Sequence, residues 1–280
     1  MTTQAYFLPQ SLNEATGLLE EHGPSLLVMA GGTIAMPLIN EGISIPEKVM
    51  GLRRAGLNYL SKPNGYHAIG ATTTLTQMLA QEEIPLLKTA ASSVGGWSIR
   101  NMGTVGGNLF APPPSGDFAV ALLALDASVK LISHRDERII SLSDFYTGFL
   151  TTALEPGELV AEVRVPTFEG SASYLKYGRR HANTPAVVTV VANLLLDGKK
   201  VTKARLALNA AGPHPFRAKQ AESILLGSIL DETAIEEAAN AAMDESEPFT
   251  DAVASDWYRR KMVGVYVKRA LGQILDTEEK

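Results

Sequence analysis

Between Ile99 and Leu109 the chain reads Ile-Arg-Asn-Met-Gly-Thr-Val-Gly-Gly-Asn-Leu, and its three glycines, Gly103, Gly106 and Gly107, constrain the fold more than any other feature. Glycine loses the most backbone entropy on ordering and adopts dihedral angles closed to other residues. A segment this dense in glycine is therefore expected as an irregular but ordered loop. With Thr104 and Asn108 beside the glycines, backbone N–H groups can turn outward and approach a ligand closely, a composition suited to cradling phosphate. A second glycine turn, Ala30-Gly31-Gly32-Thr33, lies earlier in the chain. A dinucleotide carries two phosphates, so the simplest hypothesis is that both loops hold one pyrophosphate.

The neighbours of each loop sharpen this reading. Residues 26–30 form an apolar run short enough for a buried strand, which feeds straight into the first turn. Thr33 is a candidate N-cap, and Pro37 falls in the first turn of the helix that follows, where proline is tolerated. A strand, a glycine turn and a helix start together make an anion site, or else a tight turn with no ligand. The spacing G-x-G-x-x-G of a Rossmann fingerprint is absent.

After the second loop, Pro112-Pro113-Pro114 stiffens the chain ahead of Asp117. Asp117 is read first as the cap of an apolar helix over residues 118–125, and second as an acceptor for ribose hydroxyls. Arg100 either assists a phosphate or lies on the surface. Lys176-Tyr177-Gly178-Arg179-Arg180-His181 follows a strand and is either a solvated basic turn or a source of positive charge beside a reduced flavin. Trp97, Trp257, Tyr174 and Tyr177 are assigned to the core or to an interface.

Elsewhere the elements follow from periodicity. Ser11 begins a capping-box spacing ahead of a helix that ends near Gly23-Pro24. A strand over 66–71, a helix over 75–80 and a helix restarted by Pro85 precede the central loop. A hairpin spans 128–142, a strand covers 158–165, and residues 167–173 read as a linker. Beyond it lies an antiparallel meander (173–177, 186–196, 201–209), then helices over 218–226, 231–243 and 255–275. In the last of these, Met262, Val263, Tyr266, Val267, Ala270, Leu271 and Ile274 form an apolar stripe expected to cover the sheet.

Composition removes several classes of function. A chain of 280 residues suits two or three small domains. A net charge of −5 argues against nucleic-acid binding. No cysteine is present, so thiolate metal sites and cysteine-ligated iron–sulfur clusters cannot be built by this chain. The five histidines are scattered without metal-binding spacing. No serine-nucleophile elbow, Walker loop or catalytic acid–base pair is found. No signal-peptide pattern or spanning apolar run occurs, and a cytoplasmic protein without membrane insertion is expected.

Taken together, Ala30-Gly31-Gly32-Thr33, the 99–109 block and Asp117 ahead of Ala121-Leu122-Leu123-Ala124-Leu125 resemble the FAD-binding medium subunit of the xanthine dehydrogenase and carbon monoxide dehydrogenase family of molybdenum hydroxylases. The later segments 158–166, 212–217 and Tyr258-Arg259-Arg260 are similar to that family too. The resemblance implies an α+β fold: a two-part FAD-binding region of the PCMH type over residues 1–170, with subdomains of about 1–60 and 61–170, then a C-terminal α+β domain over 173–280. It implies that Met29, Ala30, Gly31, Gly32, Thr33, Ile34 and Ala35 face Thr104, Gly107 and Asn108 across the FAD pyrophosphate. Asp117 would lie on the adenosine side, Val160 near the flavin ring and Lys176 at the ring's polar edge. No catalytic side chain and no metal ligand are assigned. The implied partners are a small subunit with [2Fe-2S] clusters, a large subunit with the molybdenum cofactor, and an electron acceptor. Asn183 stands where many relatives have aspartate. The rival readings are a self-sufficient FAD-dependent reductase or oxidase of similar fold and a non-catalytic nucleotide-binding scaffold.

Overall fold

The computed structural model describes residues 3–63, 65–167, 170–180 and 183–278. The first part of the chain builds a parallel sheet in which Lys48–Gly51 lies between Ala5–Phe7 and Leu26–Met29. The helix Leu12–His22 connects the outer two strands. Its Ser11 cap accepts a hydrogen bond from the Glu14 N–H at 3.1 Å, and its Ala15 and Leu19 bury against Leu26, Met50 and Leu52. Because all three strands run the same way, their carboxyl ends share one edge, where such sheets bind ligands. Leu26–Met29 delivers Ala30–Thr33 to that edge. Two of the three strands have no signature in the sequence, being too short to show alternation.

A second, antiparallel sheet has the order Leu60–Ser61, Tyr66–Gly70, Leu159–Pro166, Ser128–Ile132, Glu137–Ser141. Against it packs the helix Ala119–Ala124, whose residues are all buried, together with Leu75, Met78, Leu87, Ala90, Val105 and Leu109. A β-bulge between Val160 and Glu162 turns the Ala161 carbonyl to the Ala71 N–H at 2.9 Å. That contact ties the sheet's central strand to the segment beneath the second glycine loop.

The glycine block is not the irregular loop its composition suggests. Trp97–Met102 and Val105–Asn108 are both helical, joined at Gly103 and Thr104. The hydroxyl of Thr104 accepts from the Gly107 N–H at 3.1 Å, and the Val105 and Gly106 N–H groups donate to Thr73 and Ala71 carbonyls at 2.9 Å each. A cap and two tertiary hydrogen bonds override the weak propensity of glycine.

The third sheet is the expected meander of Ser171–Gly178, Ala186–Asp197 and Lys200–Asn209, extended by a short strand that the sequence did not announce, Phe216–Arg217. Helices Lys219–Leu225, Glu232–Glu245 and Asp256–Glu278 cover one face, with Val263, Val267, Ala270, Leu271 and Ile274 fully in its core and Met262 and Tyr266 packed at the margin. The other face meets the second region, because Val191 and Ala207 join the core around the helix Ala119–Ala124. Part of the 167–173 linker, Phe168 and Glu169, lies outside the described residues, as does His181. Among the described residues no helix is long and apolar enough to cross a membrane.

Candidate functional site

A cleft of about 620 Å³ opens where the parallel sheet, the second sheet and the third sheet meet. It falls within the roughly 300–1,000 Å³ usual for small-molecule and cofactor sites. Met29, Ala30, Gly31, Gly32, Thr33, Ile34 and Ala35 form one wall, and Thr104, Gly106, Gly107 and Asn108 another. Asp117, Val160 and Lys176 also line it, as do Asn183, Thr184 and Pro185. Every residue that the family resemblance assigned to the cofactor thus borders one cavity, although they come from stretches as distant as residue 29 and residue 176.

The glycines explain how the two loops can be so close. A Cβ on Gly31 would lie 1.9 Å from the Met102 carbonyl oxygen, so the first loop packs directly on the backbone that leads into the second. Gly32 has φ +73°, a conformation that L side chains rarely adopt. A Cβ on Gly106 would collide with Ala71 Cβ and O at 2.7 and 2.8 Å, so this glycine serves packing. A Cβ on Gly107 would meet its own cap, the Thr104 hydroxyl, at 2.8 Å and would stand 4.0 Å from the Ala30 Cβ across the gap between the loops.

Hydrogen bonding separates donors already used from donors available to a ligand. Among the described residues the N–H groups of Gly32, Thr33 and Ile34 find no backbone hydrogen-bond partner, whereas the Met36 N–H is taken by the Gly32 carbonyl at 2.9 Å. Thr33 does not cap the following helix as expected. That helix, Ala35–Asn40, is preceded by Ile34 at the cap position with no side-chain hydrogen bond. The turn lies one residue further along than the sequence suggests, which leaves the Thr33 hydroxyl and three N–H groups at the cleft. Asn108 turns its Oδ1 to the Ala119 N–H at 3.1 Å and so fixes the start of the next helix.

That last contact overturns the capping role of Asp117. Its carboxylate points the other way: Oδ2 accepts from Lys176 Nζ at 2.7 Å and Oδ1 from the Thr189 hydroxyl at 2.8 Å. Asp117 is only 4 % exposed. Burial pushes its carboxyl above the usual range, while Lys176, Thr189 and the Asn209 amide pull it back. Lys176 Nζ also donates to the Ser93 carbonyl at 3.0 Å, and Tyr174 joins Ser93 Oγ (2.7 Å) to the Asp117 carbonyl (3.0 Å). Lys176 is therefore one half of a buried ion pair, and the solvated-turn reading does not hold for it. Since the two charges touch, they meet a ligand at one place. Roles for Asp117 and Lys176 at opposite ends of an extended dinucleotide are not compatible with this geometry.

Other side chains went unnoticed in the sequence. Glu158 borders the cleft and is gripped by Arg138 through Nε (2.7 Å) and Nη2 (2.8 Å), which holds its carboxyl below the usual range. Twenty residues separate the pair, and no local pattern announces it. Val94, another cleft residue, carries no chemical signature at all. Arg100 is not among the residues that line the cleft. Its Nη1 reaches the carbonyls of Ser92, Val94 and Gly95 (3.3, 3.2 and 2.9 Å) and secures the end of the helix Pro85–Ser93. Tyr174 is partly buried against the core and Tyr177 stacks on Tyr266, but Trp97 and Trp257, 64 % and 66 % exposed, are not core residues.

A pyrophosphate-bearing cofactor fits what the cleft offers: unpaired backbone donors at the carboxyl edge of a parallel sheet, a bare glycine face opposite them, apolar walls, and a charged pair at one place. Among the described residues no group of three or more His, Cys, Asp or Glu side chains could hold a metal ion.

Comparison with known proteins agrees. Residues 1–168 match the family described as the FAD binding domain in molybdopterin dehydrogenase, and residues 173–274 match the CO dehydrogenase flavoprotein C-terminal domain. The chain is 30 % identical to the glyceraldehyde dehydrogenase medium chain of Sulfolobus acidocaldarius, over 96 % of this chain and 98 % of that one. It is 32 % identical to the 6-hydroxypseudooxynicotine dehydrogenase complex subunit alpha of Paenarthrobacter nicotinovorans, covering 96 % and 94 %. A chain of the carbon monoxide dehydrogenase of Hydrogenophaga pseudoflava superposes with a TM-score of 0.93 at 29 % identity, covering 97 % of each.

Proposed function

Because this chain belongs to the FAD-binding, medium-subunit family of the molybdopterin dehydrogenases, an oxidoreductase family, we propose that it is the electron-transfer subunit of a heteromeric molybdenum hydroxylase. Its partners are a small subunit carrying [2Fe-2S] clusters and a large subunit carrying the molybdenum cofactor. The complete lack of cysteine supports that division, since no cysteine-ligated cluster can reside here. The assembly is assigned to the cytoplasm, and the substrate is oxidised on the large subunit.

One observation carries the reading: two glycine loops from separate sheets converge on a single cleft, and among the described residues the Gly32, Thr33 and Ile34 N–H groups that line it have no backbone partner. In this proposal the N–H groups of Gly32, Thr33 and Ile34, with the Thr33 hydroxyl, take the pyrophosphate on one side. Gly107 permits close approach on the other, and the Asn108 amide donates from the same wall. Val160 and the apolar lining exclude water from the ring, and the Asp117–Lys176 pair supplies fixed charge beside it. FAD, when bound, provides the redox chemistry, passing electrons from the iron–sulfur centres to an external acceptor. The chain contributes position, dryness and electrostatics.

The test is the visible absorption spectrum of the purified chain, with any chromophore released by heat and identified. About one equivalent of FAD per chain is expected, and co-expression should yield cysteine-rich and molybdenum-bearing chains bound to it. A colourless protein that takes up no added FAD overturns the cofactor assignment. A chain that loads FAD and turns over an acceptor with no bound partners overturns the subunit assignment.

A further inference from the structure

We propose that Thr189 and Asn209, which do not line the cleft, are positioning residues that set the charge at its Asp117–Lys176 end from the C-terminal sheet. The inference rests on the FAD reading above and adds to it how that end of the site is tuned. The geometry is specific. Thr189, on the strand Ala186–Asp197, is fully buried and directs its hydroxyl to Asp117 Oδ1 at 2.8 Å. Asn209, at the end of the neighbouring strand Lys200–Asn209, donates from Nδ2 to the Pro114 carbonyl at 3.0 Å, and its amide favours the charged form of the nearby Asp117 carboxyl. Thr189 and Asn209 are direct partners in the ladder between these strands. They therefore place a hydroxyl donor on the Asp117 carboxylate and a neutral amide beside it as a fixed pair. Gly116 makes the approach possible, because a Cβ there would stand 2.8 Å from Pro215 Cγ and 3.4 Å from Asn209 Oδ1.

The consequence is electrostatic. A buried carboxylate holds its charge only while donors satisfy it, and neutral donors favour the charged form. Thr189 and Asn209 favour the charged form of Asp117 against the burial that opposes it, and that charge offsets Lys176 Nζ, 2.7 Å away, at the cleft. Removing a donor weakens the anion and leaves the lysine charge less compensated. A net cation beside a flavin favours its electron-rich reduced form. The reduction potential of the bound cofactor should then rise. A purely structural role for Thr189 would lower the melting temperature and leave the potential where it is.

The experiment compares wild type, Thr189→Val and Thr189→Ser, each loaded with FAD, by spectroelectrochemical titration with a set of reference dyes. Thr189→Val, which keeps the shape and removes the donor, should shift the potential upward. Thr189→Ser, which keeps the donor, should titrate with wild type. A Thr189→Val potential equal to wild type, or a Thr189→Ser potential that moves with Thr189→Val, overturns the proposal. If Thr189→Val does not fold, the same measurement on Asn209→Ala decides with the same signs. Failure of wild type itself to bind FAD would strike the cofactor reading instead, and so the two are distinguishable.

Discussion

Gly31→Ala tests the two-loop site most directly. An added Cβ would lie 1.9 Å from the Met102 carbonyl oxygen and 2.8 Å from its carbon. Both are backbone atoms, so no side chain can swing aside. Reaching ordinary contact requires the loops to part by about 1.5 Å, and overpacking of this kind costs about 1–3 kcal/mol. In a chain of this size that lowers the melting temperature by roughly 2–6 °C. The larger effect is on the cofactor, because the Gly32, Thr33 and Ile34 N–H groups move with the loop. Losing one charge-assisted hydrogen bond to a phosphate costs about 1.5–3 kcal/mol, or some ten- to hundredfold in dissociation constant. Gly96→Ala is the control, since nothing lies within 4 Å of a Cβ at that position. Flavin absorbance titration and thermal melting of both variants give the answer. If Gly31→Ala binds FAD as tightly as wild type and as Gly96→Ala, the loops do not jointly hold the cofactor.

Two further outcomes follow from buried polar groups. Burial depresses the pKa of His67 below its usual 6.5, helped by Lys62 and opposed by Glu83, so the unfolded chain takes up the proton first. Stability should therefore fall as pH drops below about 6.5, and a His67→Gln variant should lose that part of the pH dependence in melting curves; equal slopes for the two proteins would refute this. Arg259 is wholly buried, donating to the Ala186 and Val187 carbonyls (3.0 and 2.8 Å) and to Asp251 (2.7 Å). Arg259→Met should destabilise by about 3 kcal/mol, measured by denaturant titration, because a buried charge pair and two carbonyl partners are lost at once.

Where the sequence was informative, a local rule and the tertiary structure agreed. The Ser11 cap, the hairpin and the C-terminal meander with its helix stripe lie close to where pattern puts them, because each buries one face of known period. The strands Ala5–Phe7 and Lys48–Gly51 were invisible, since three or four residues carry no period and their pairing is long-range. The glycine block misled in the opposite sense. Its composition disfavours helix, yet Thr104, Ala71 and Thr73 supply hydrogen bonds that no window on residues 99–109 can see. The same reason hid the roles of Asp117 and Asn108. A carboxylate just before an apolar helix reads as a cap until the neighbouring strands bearing Lys176 and Thr189 are folded against it, and only then does the Asn108 amide become the partner of Ala119.

That exchange of partners bears on how the site is assembled. Residues 1–168 contain both glycine loops, Asp117 and Val160, and so contain nearly the whole cleft wall. They do not contain what keeps the Asp117 charge. Lys176, Thr189, Asn209 and the Tyr174 hydroxyl on the Asp117 carbonyl all come from the sheet beyond residue 170. Val191 and Ala207 of that sheet also complete the core around the helix that Asn108 starts. A carboxylate buried without these groups would protonate or draw in water, and the helix Ala119–Ala124 would lose one packing face. The glycine loops can shape a place for phosphates from the first sheet and the second, but the charged end of the cleft exists only when the third sheet has docked. The charged end of the cleft and the docking of the C-terminal sheet are thus linked through one ion pair, whose two halves the chain order keeps 59 residues apart.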